Sequence, residues 1–370
     1  MTFSILREDL LTPVSRAIGV VERKQSLAIL SNLLITQKDN ILSVSGIGAD
    51  VSITGRTPLM DPIPEFQTTL PAYKLLDILK SLPPESRIQW TEKNKQITLS
   101  SGASRFTLSS LPAEDFPAFT LEKSSTQRFS IPQSALKKCL QDTTFTMAQQ
   151  DVRRYLNGFL LEIAGQSAHL VATDGHRLAH HATSITALSE PAPQGQFIIP
   201  RKGAIELMRT LEDTEEAITV EVNAHCLCVT SPTQTLISQL IDGRFPDYQS
   251  VIPKQNQNTL IADTSELKGM LARASILCNE NFKGIRLHIE QGLLKVEATN
   301  PEQEHLQDEI SAVYTAPPLN IAVNVQYLLD ALQHIHSPQV KLVFGNAQTS
   351  FRIEEPDSTD KCFVIMPLKL

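Results

Sequence analysis

Apolar positions along this chain recur in blocks, and the same succession of blocks appears three times. Phe3-Ser4-Ile5 is followed by Leu10, Val14 and Ile18 at helical spacing; Phe129-Ser130-Ile131 by Leu136, Leu140 and Met147; Leu260-Ile261-Ala262 by Leu267, Leu271 and Ala274. Each block predicts a short strand running into an amphipathic helix. Strand pairs are predicted next, over 33–53, 158–172 and 284–298. A second strand-to-helix join then follows at Thr69-Leu70-Pro71, at Ile198-Ile199-Pro200 and at Ala322-Val323-Asn324. Proline and asparagine suit a helix N-terminus there. Each block closes on alternating strands, over 88–108, 218–240 and 340–365, of which Val220-Glu221-Val222 is typical of a sheet with one wet face.

Matching landmarks lie about 125 to 130 residues apart, the size of an ordinary domain. Four landmarks in one order, three times over, predict an α+β fold of three similar domains at 1–121, 127–248 and 258–370. Polar, aperiodic stretches at 122–126 and 249–257 read as linkers.

Composition narrows the classes. The chain has 370 residues, 41% of them apolar, enough for a core in each domain. No apolar run of membrane-spanning length and no leader-like N-terminus is visible. Five scattered cysteines read as free thiols in a reducing cytoplasm. A net charge of −7 argues against holding nucleic acid on a broad basic surface, but not against holding it by topology.

Several segments imitate catalytic or metal motifs. Gly46-Ile-Gly48 follows a strand, yet Val51 stands where a dinucleotide fingerprint needs glycine, so a bulged or turning strand is expected. His225-Cys226-Leu227-Cys228 has no zinc-knuckle spacing, and its cysteines read as small core residues. His334 and His336 read as a solvated helix cap. Asp174-Gly175-His176-Arg177 could pair an acid with a base, but no nucleophile or second carboxylate accompanies it, and a strand-ending turn explains it. A hydrolase centred on Asp174 and His176 and a monomeric or differently assembled repeat scaffold that binds proteins but not DNA are the competing readings. No metal or cofactor is expected.

The run Ala-Thr-Asp-Gly-His-Arg-Leu-Ala at 172–179 closely resembles a signature of the β subunit family of bacterial DNA polymerase III, the β sliding clamps. So do Tyr-Leu-Asn-Gly at 155–158, Pro-Arg-Lys-Gly at 200–203 and Asp-Gly-Arg-Phe-Pro-Asp-Tyr at 242–248. Asn-Pro-Glu-Gln-Glu at 300–304 and the C-terminal Met-Pro-Leu-Lys-Leu complete the set. The resemblance spans the whole chain in the family's order. It implies two chains paired head to tail in a closed ring, with helices lining the hole and sheets outside. That ring encircles duplex DNA without reading sequence, is opened by a clamp loader, and confers processivity on the polymerase without a catalytic centre of its own.

The same resemblance implies three sets of residues. A peptide-binding pocket for the polymerase catalytic subunit, the loader and other clamp-binding proteins would be walled by Leu156, Thr173, Gly175, His176, Arg177, Leu178, Pro246, Val251, Asn324, Tyr327, Ser350, Val364, Ile365, Met366, Pro367 and Leu368. Residues facing DNA would be Arg23, Lys24, Lys74, Gln150, Arg154, Tyr155, Arg201, Lys202 and Arg209, with Arg16, Lys80, Lys137, Lys138, Lys268 and Arg273 as further inner-helix cations. The subunit contact would use Arg105, Phe106 and Leu108 of the first domain and Ile276, Leu277, Glu304 and Asp308 of the third, the two carboxylates meeting basic groups across the seam. An exposed edge strand carrying a phenylalanine is a liability unless paired, which fits. The chain departs from the family pattern at Arg154, where tyrosine is frequent, and at Ser250, which replaces a basic residue of the pocket rim.

Overall fold

A computed structural model of the chain describes residues 1–369 except 25–26, 118, 120–125, 255–256 and 279–282. Most of the 122–126 linker therefore lies outside the described residues. In the first repeat β1 (Thr2–Leu6) feeds α1 (Arg7–Ala17), and β2 (Asn32–Lys38), β3 (Ile41–Ile47) and β4 (Val51–Pro58) form a meander. Next, β5 (Phe66–Pro71) feeds α2 (Ala72–Ser81), and β6 (Arg87–Lys93), β7 (Gln96–Ser101) and β8 (Ser104–Ser109) close the repeat.

The second repeat runs β9 (Gln127–Pro132), α3 (Gln133–Thr144), β10 (Gly158–Ala164), β11 (Ser167–Thr173), β12 (Arg177–Ser184) and a two-residue β13 (Thr186–Ala187). It continues with β14 (Gln194–Pro200), α4 (Arg201–Thr210), β15 (Ala217–Val222), β16 (Cys226–Ser231) and β17 (Gln234–Gln239). A short α5 (Tyr248–Val251) then occupies ground expected to be aperiodic linker. The third repeat is β18 (Asn258–Asp263), α6 (Thr264–Ser275), β19 (Gly284–Glu290), β20 (Leu293–Thr299), β21 (His305–Tyr314), β22 (Leu319–Asn324), α7 (Val325–Gln333), β23 (Gln339–Phe344), β24 (Phe351–Glu354) and β25 (Lys361–Ile365).

The chain forms two compact units that cut across the second repeat. One holds residues 1–134, 186–193 and 202–240. Its sheets are β1-β6-β7-β8 and the nine-stranded β13-β9-β15-β16-β17-β4-β3-β2-β5. The other holds 135–185, 194–201 and 241–370, with the twelve-stranded β14-β10-β11-β12-β25-β24-β23-β18-β21-β20-β19-β22. In each unit a sheet runs without a break from one repeat into the next. The joint is β4 against β17 in the first, five residue pairs from Val51–Ser238 to Gly55–Gln234. In the second it is β12 against β25, from Arg177–Ile365 to His181–Lys361.

Helices cover one face of the sheets, burying Leu10, Val14 and Ala17 of α1 and Leu267, Met270, Leu271 and Ala274 of α6. As expected, the strand turns at Gly48, whose amide donates to the Val51 carbonyl at 2.8 Å, and Gly46 within β3 has a packing role. A Cβ there would stand 2.4 Å from the Ala17 carbonyl oxygen, and one at Gly55 2.8 Å from that of Pro13. Only glycine admits α1 so close to the sheet.

Candidate functional site: a peptide groove and an open seam

The groove begins with a tight turn between β11 and β12. Asp174 Oδ1 accepts the amides of His176 and Arg177 at 2.9 and 3.0 Å, Thr173 Oγ1 accepts the Gly175 amide at 3.1 Å, and the Thr173 hydroxyl donates to the Arg177 carbonyl at 2.6 Å. Gly175 sits at φ +91°, which side chains rarely adopt. Asp174 thus organises a turn, and the acid/base pairing with His176 does not form in it.

Arg177 is consumed by structure too. Its guanidinium reaches Asp174 Oδ2 at 3.1 Å, Asp330 Oδ2 at 2.5 Å and the Phe145 carbonyl at 3.1 Å, and lies over the Tyr327 ring, 4.5 Å from the centroid. Such a fork on a planar ring fixes the strand that carries it.

Beside this turn opens a cavity of about 280 Å³. Leu156, Leu178 and Val364 are buried in its floor, while Val251 and Met366 stand 40% and 48% exposed at its lip. Ten of the expected wall residues line it: Leu156, Thr173, Gly175, His176, Arg177, Leu178, Pro246, Val251, Val364 and Met366. Six do not. Ile365 alternates away from its neighbours and is buried. The Asn324 side chain caps α7 by accepting the Gln326 amide, Tyr327 lies under Arg177, Ser350 precedes β24, and Pro367 and Leu368 pass on, the Leu368 amide donating to the Ala322 carbonyl.

Four walls were not foreseen: Arg153, Tyr155, Phe245 and Tyr248. Phe245 and Tyr248 belong to the same 242–248 run that supplied Pro246. Burial among the alternating apolar residues Leu160, Val171 and Ile198 is what seats them. The Tyr248 hydroxyl donates to Glu162, and its ring stacks on His180, centroids 5.8 Å apart. Burial first, then the Glu162 carboxylate, pushes the Tyr248 phenol up. His180 Nε2 lies 3.0 Å from His169 Nδ1. Burial, with His169 and His181 adding repulsion, lowers the His180 imidazole to about 4. Arg153 is gripped by Asp151 at 2.9 Å. At the rim Ser250 donates to the Asp247 carbonyl, 2.7 Å away.

The cations expected to face DNA divide. Lys24, Lys74 and Arg154, with the polar Gln150, are exposed, and Arg23 lies over Tyr73, 4.1 Å from its centroid. Lys202 instead binds Glu22 at 2.9 Å and the Val20 carbonyl at 3.2 Å, and Arg201 the Met147 carbonyl at 3.3 Å. Arg209 pairs with Glu206 but stays 65% exposed. Lys268 donates to the Ile335 carbonyl. Tyr155 lines the groove. Helix position alone did not distinguish cations needed as struts from those left to solvent.

At the expected subunit contact, β8 is the last strand of its sheet, with Phe106 half-buried and Leu108 buried. Ile276 is 77% exposed. Leu277 packs against the third-repeat core. Asp308, expected to meet a base across the seam, already binds Arg273 of its own chain at 2.6 Å, and Glu304 holds Asn300. His334 is not a solvated cap: its ring stacks on Phe145 and its Nδ1 is 3.2 Å from Asp142.

Triplicated two-helix units joined through continuous sheets, with an apolar groove at a joint, define the sliding-clamp class of protein. Residues 1–120, 130–247 and 249–369 match the N-terminal, central and C-terminal domains of the DNA polymerase III beta subunit. The chain belongs to that family. It is 41% identical to the beta sliding clamp of Pseudomonas aeruginosa over 370 residues and 38% identical to that of Escherichia coli, both chains fully covered in each case. The crystal structure of the P. aeruginosa DNA polymerase III subunit beta superposes with a TM-score of 0.95, and the sliding clamp of Caulobacter crescentus, 28% identical, with 0.92, again covering each chain completely.

Proposed function

We propose that this chain is a DNA sliding clamp: two copies pair head to tail into a ring that encircles duplex DNA and tethers DNA polymerase III to it. The polymerase catalytic subunit, the clamp loader and other clamp-binding proteins dock in turn through the groove by a short apolar peptide. The chain catalyses no reaction itself and acts in the cytoplasm, where replication proceeds. No described helix is long and apolar enough to cross a membrane.

One observation carries the ring. β4, β12 and β21 are the third strands of equivalent meanders, and β17, β25 and β8 the last strands of their repeats. β4 takes β17 and β12 takes β25 within the chain. Among the described residues, 305–311 of β21 pair with β20 alone, and β8 with β7 alone. These two open edges, matching the pair of edges joined at each seam within the chain, are satisfied by a second copy. The hairpin ends favour one register for that pairing. Ser52, Leu178 and His305 are equivalent, as are Gln234 and Ser104, which supports a register with Leu306 opposite the partner's Phe106 and Gln307 opposite the partner's Arg105.

Topology also reconciles DNA binding with a charge of −7. Processivity arises because a tethered polymerase rebinds at high effective concentration. The test is retention on nicked circular against linear DNA across a salt series. A ring stays on the circle at salt that abolishes phosphate contacts and leaves when the circle is cut. Equal retention on both forms, with a steep salt slope on each, refutes it.

A further inference from the structure

The three seams share a feature beyond their strands. Arg16, Asp142 and Arg273 are each the tenth residue of the first helix of their repeat. Each lies over the matching residue of its own seam strand. Arg16 stands above Gly55, where a Cβ would be 3.1 Å from its own; Asp142 is 2.9 Å from His181; Arg273 is 2.6 Å from Asp308. Gly55, His181 and Asp308 are equivalent by the hairpin registers.

In both seams closed within the chain this helix residue also reaches the incoming strand. Arg16 Nη1 donates to the Arg56 carbonyl at 3.2 Å and, across the seam, to the Thr233 carbonyl at 3.4 Å, in the turn just before β17. Asp142 Oδ2 lies 3.6 Å from Lys361 Nζ on β25. At the third seam Arg273 spends only its Nε on Asp308, and its side chain is 54% exposed. Among the described residues no acceptor holds its Nη groups.

We infer that Arg273 is a cross-seam strut, whose free Nη groups donate to the carbonyl oxygen of the partner's Ala103 when the ring closes. Ala103 immediately precedes β8 in a two-residue turn, as Thr233 precedes β17. Asp308 then serves to aim Arg273 rather than to meet a partner's base. A guanidinium suits this double duty because its fork has separate donors for a carboxylate and a carbonyl. The inference rests on the head-to-tail pairing of β8 with β21 proposed above.

The test measures dimer dissociation of the full chain by sedimentation. Arg273→Ala is made alone and in an Asp308→Asn background, beside Asp308→Asn itself. The ring has two such seams, so a charge-assisted hydrogen bond lost at each raises the dissociation constant roughly a hundredfold to ten-thousandfold. The rise is expected in both backgrounds, because the bond to the partner does not pass through Asp308. An unchanged constant on Arg273→Ala, or a rise that disappears once Asp308 is neutral, overturns the strut. Monomer thermal melts separate folding damage, and Arg273→Lys, which keeps charge but not the fork, should recover only part of the loss. Arg105→Cys with Gln307→Cys reports the pairing itself: disulfide-linked dimers that ignore Arg273 defeat the strut alone, whereas no disulfide and no dimer defeat the ring.

Discussion

Asp142 is 2% exposed and carries a charge that only its neighbours make tolerable. Burial alone would raise its carboxyl, but His181, His334 and Lys361 outweigh that and hold it well below the usual carboxylate range. Lys361, 3% exposed, donates to the His334 carbonyl and sits 3.1 Å from Glu355. Removing one member of such a group leaves a buried charge uncompensated, so Asp142→Ala should cost about 3–5 kcal/mol in urea unfolding. The pH dependence follows from two signs. Asp142 is depressed when folded, so its contribution is present above the ordinary 3.8 and fades as pH falls below it. His180 is also depressed, to about 4 from 6.5, so between those values the unfolded chain takes up a proton that the folded chain refuses. Stability should fall as pH drops through that window. In His180→Gln, urea midpoints at pH 7, 5.5 and 4 should decline less than in the parent; parallel declines would remove His180 from the account.

At the scale of elements, the strand that most shapes the groove is β25 with the chain that follows it. Chain ends usually fray, but here the Met366 amide donates to the His176 carbonyl and the Leu368 amide to that of Ala322. These bonds hold Met366 in place as a wall, and deleting residues 366–370 should abolish binding of a labelled polymerase-tail peptide while leaving the dimer intact. Tyr248→Phe tests the opposite wall. Losing the bond to Glu162 should loosen α5 and weaken the peptide several-fold, since hydrogen bonds to charged groups are worth about 1.5–3 kcal/mol; an unchanged titration would mean apolar burial alone seats α5. These two walls also mark what the sequence makes legible. Strand-helix joins were plain because periodicity and burial coincide, as in Leu10 and Val14. The signature motifs located the turn at 174–177 and most of the groove. Which member of a motif faces the groove was not legible, because alternation sends Val364 into the floor and Ile365 into the core. Nor was the use of each cation, since whether Lys202 meets water or Glu22 depends on residues some 180 positions away.

At the scale of the whole molecule, the question is how a ring can be stable and still open. Two of every three seams are covalently continuous and carry buried polar groups such as Gln234 and Lys361. At the equivalent place in the third stands Ser104, small and exposed. In the proposed pairing that seam joins through strand pairing, an apolar contact around Phe106, Leu306 and Ile276, and the inferred reach of Arg273, with no covalent continuity, so it is the seam expected to open. Its register is open to a direct test. In the proposed register Arg105 and Gln307 are directly opposed, within the Cα separation a disulfide spans, and both are exposed in the free chain. Arg105→Cys with Gln307→Cys should therefore oxidise to a covalent dimer. Arg105→Cys with Leu306→Cys, one residue out of register, should not, because neighbouring side chains point to opposite faces. A ring sealed before loading should fail to enter circular DNA. One sealed after loading should resist salt that strips the reduced form, because the only exit left is a cut in the DNA. Sealing without any gain in salt resistance would place the opening at another seam.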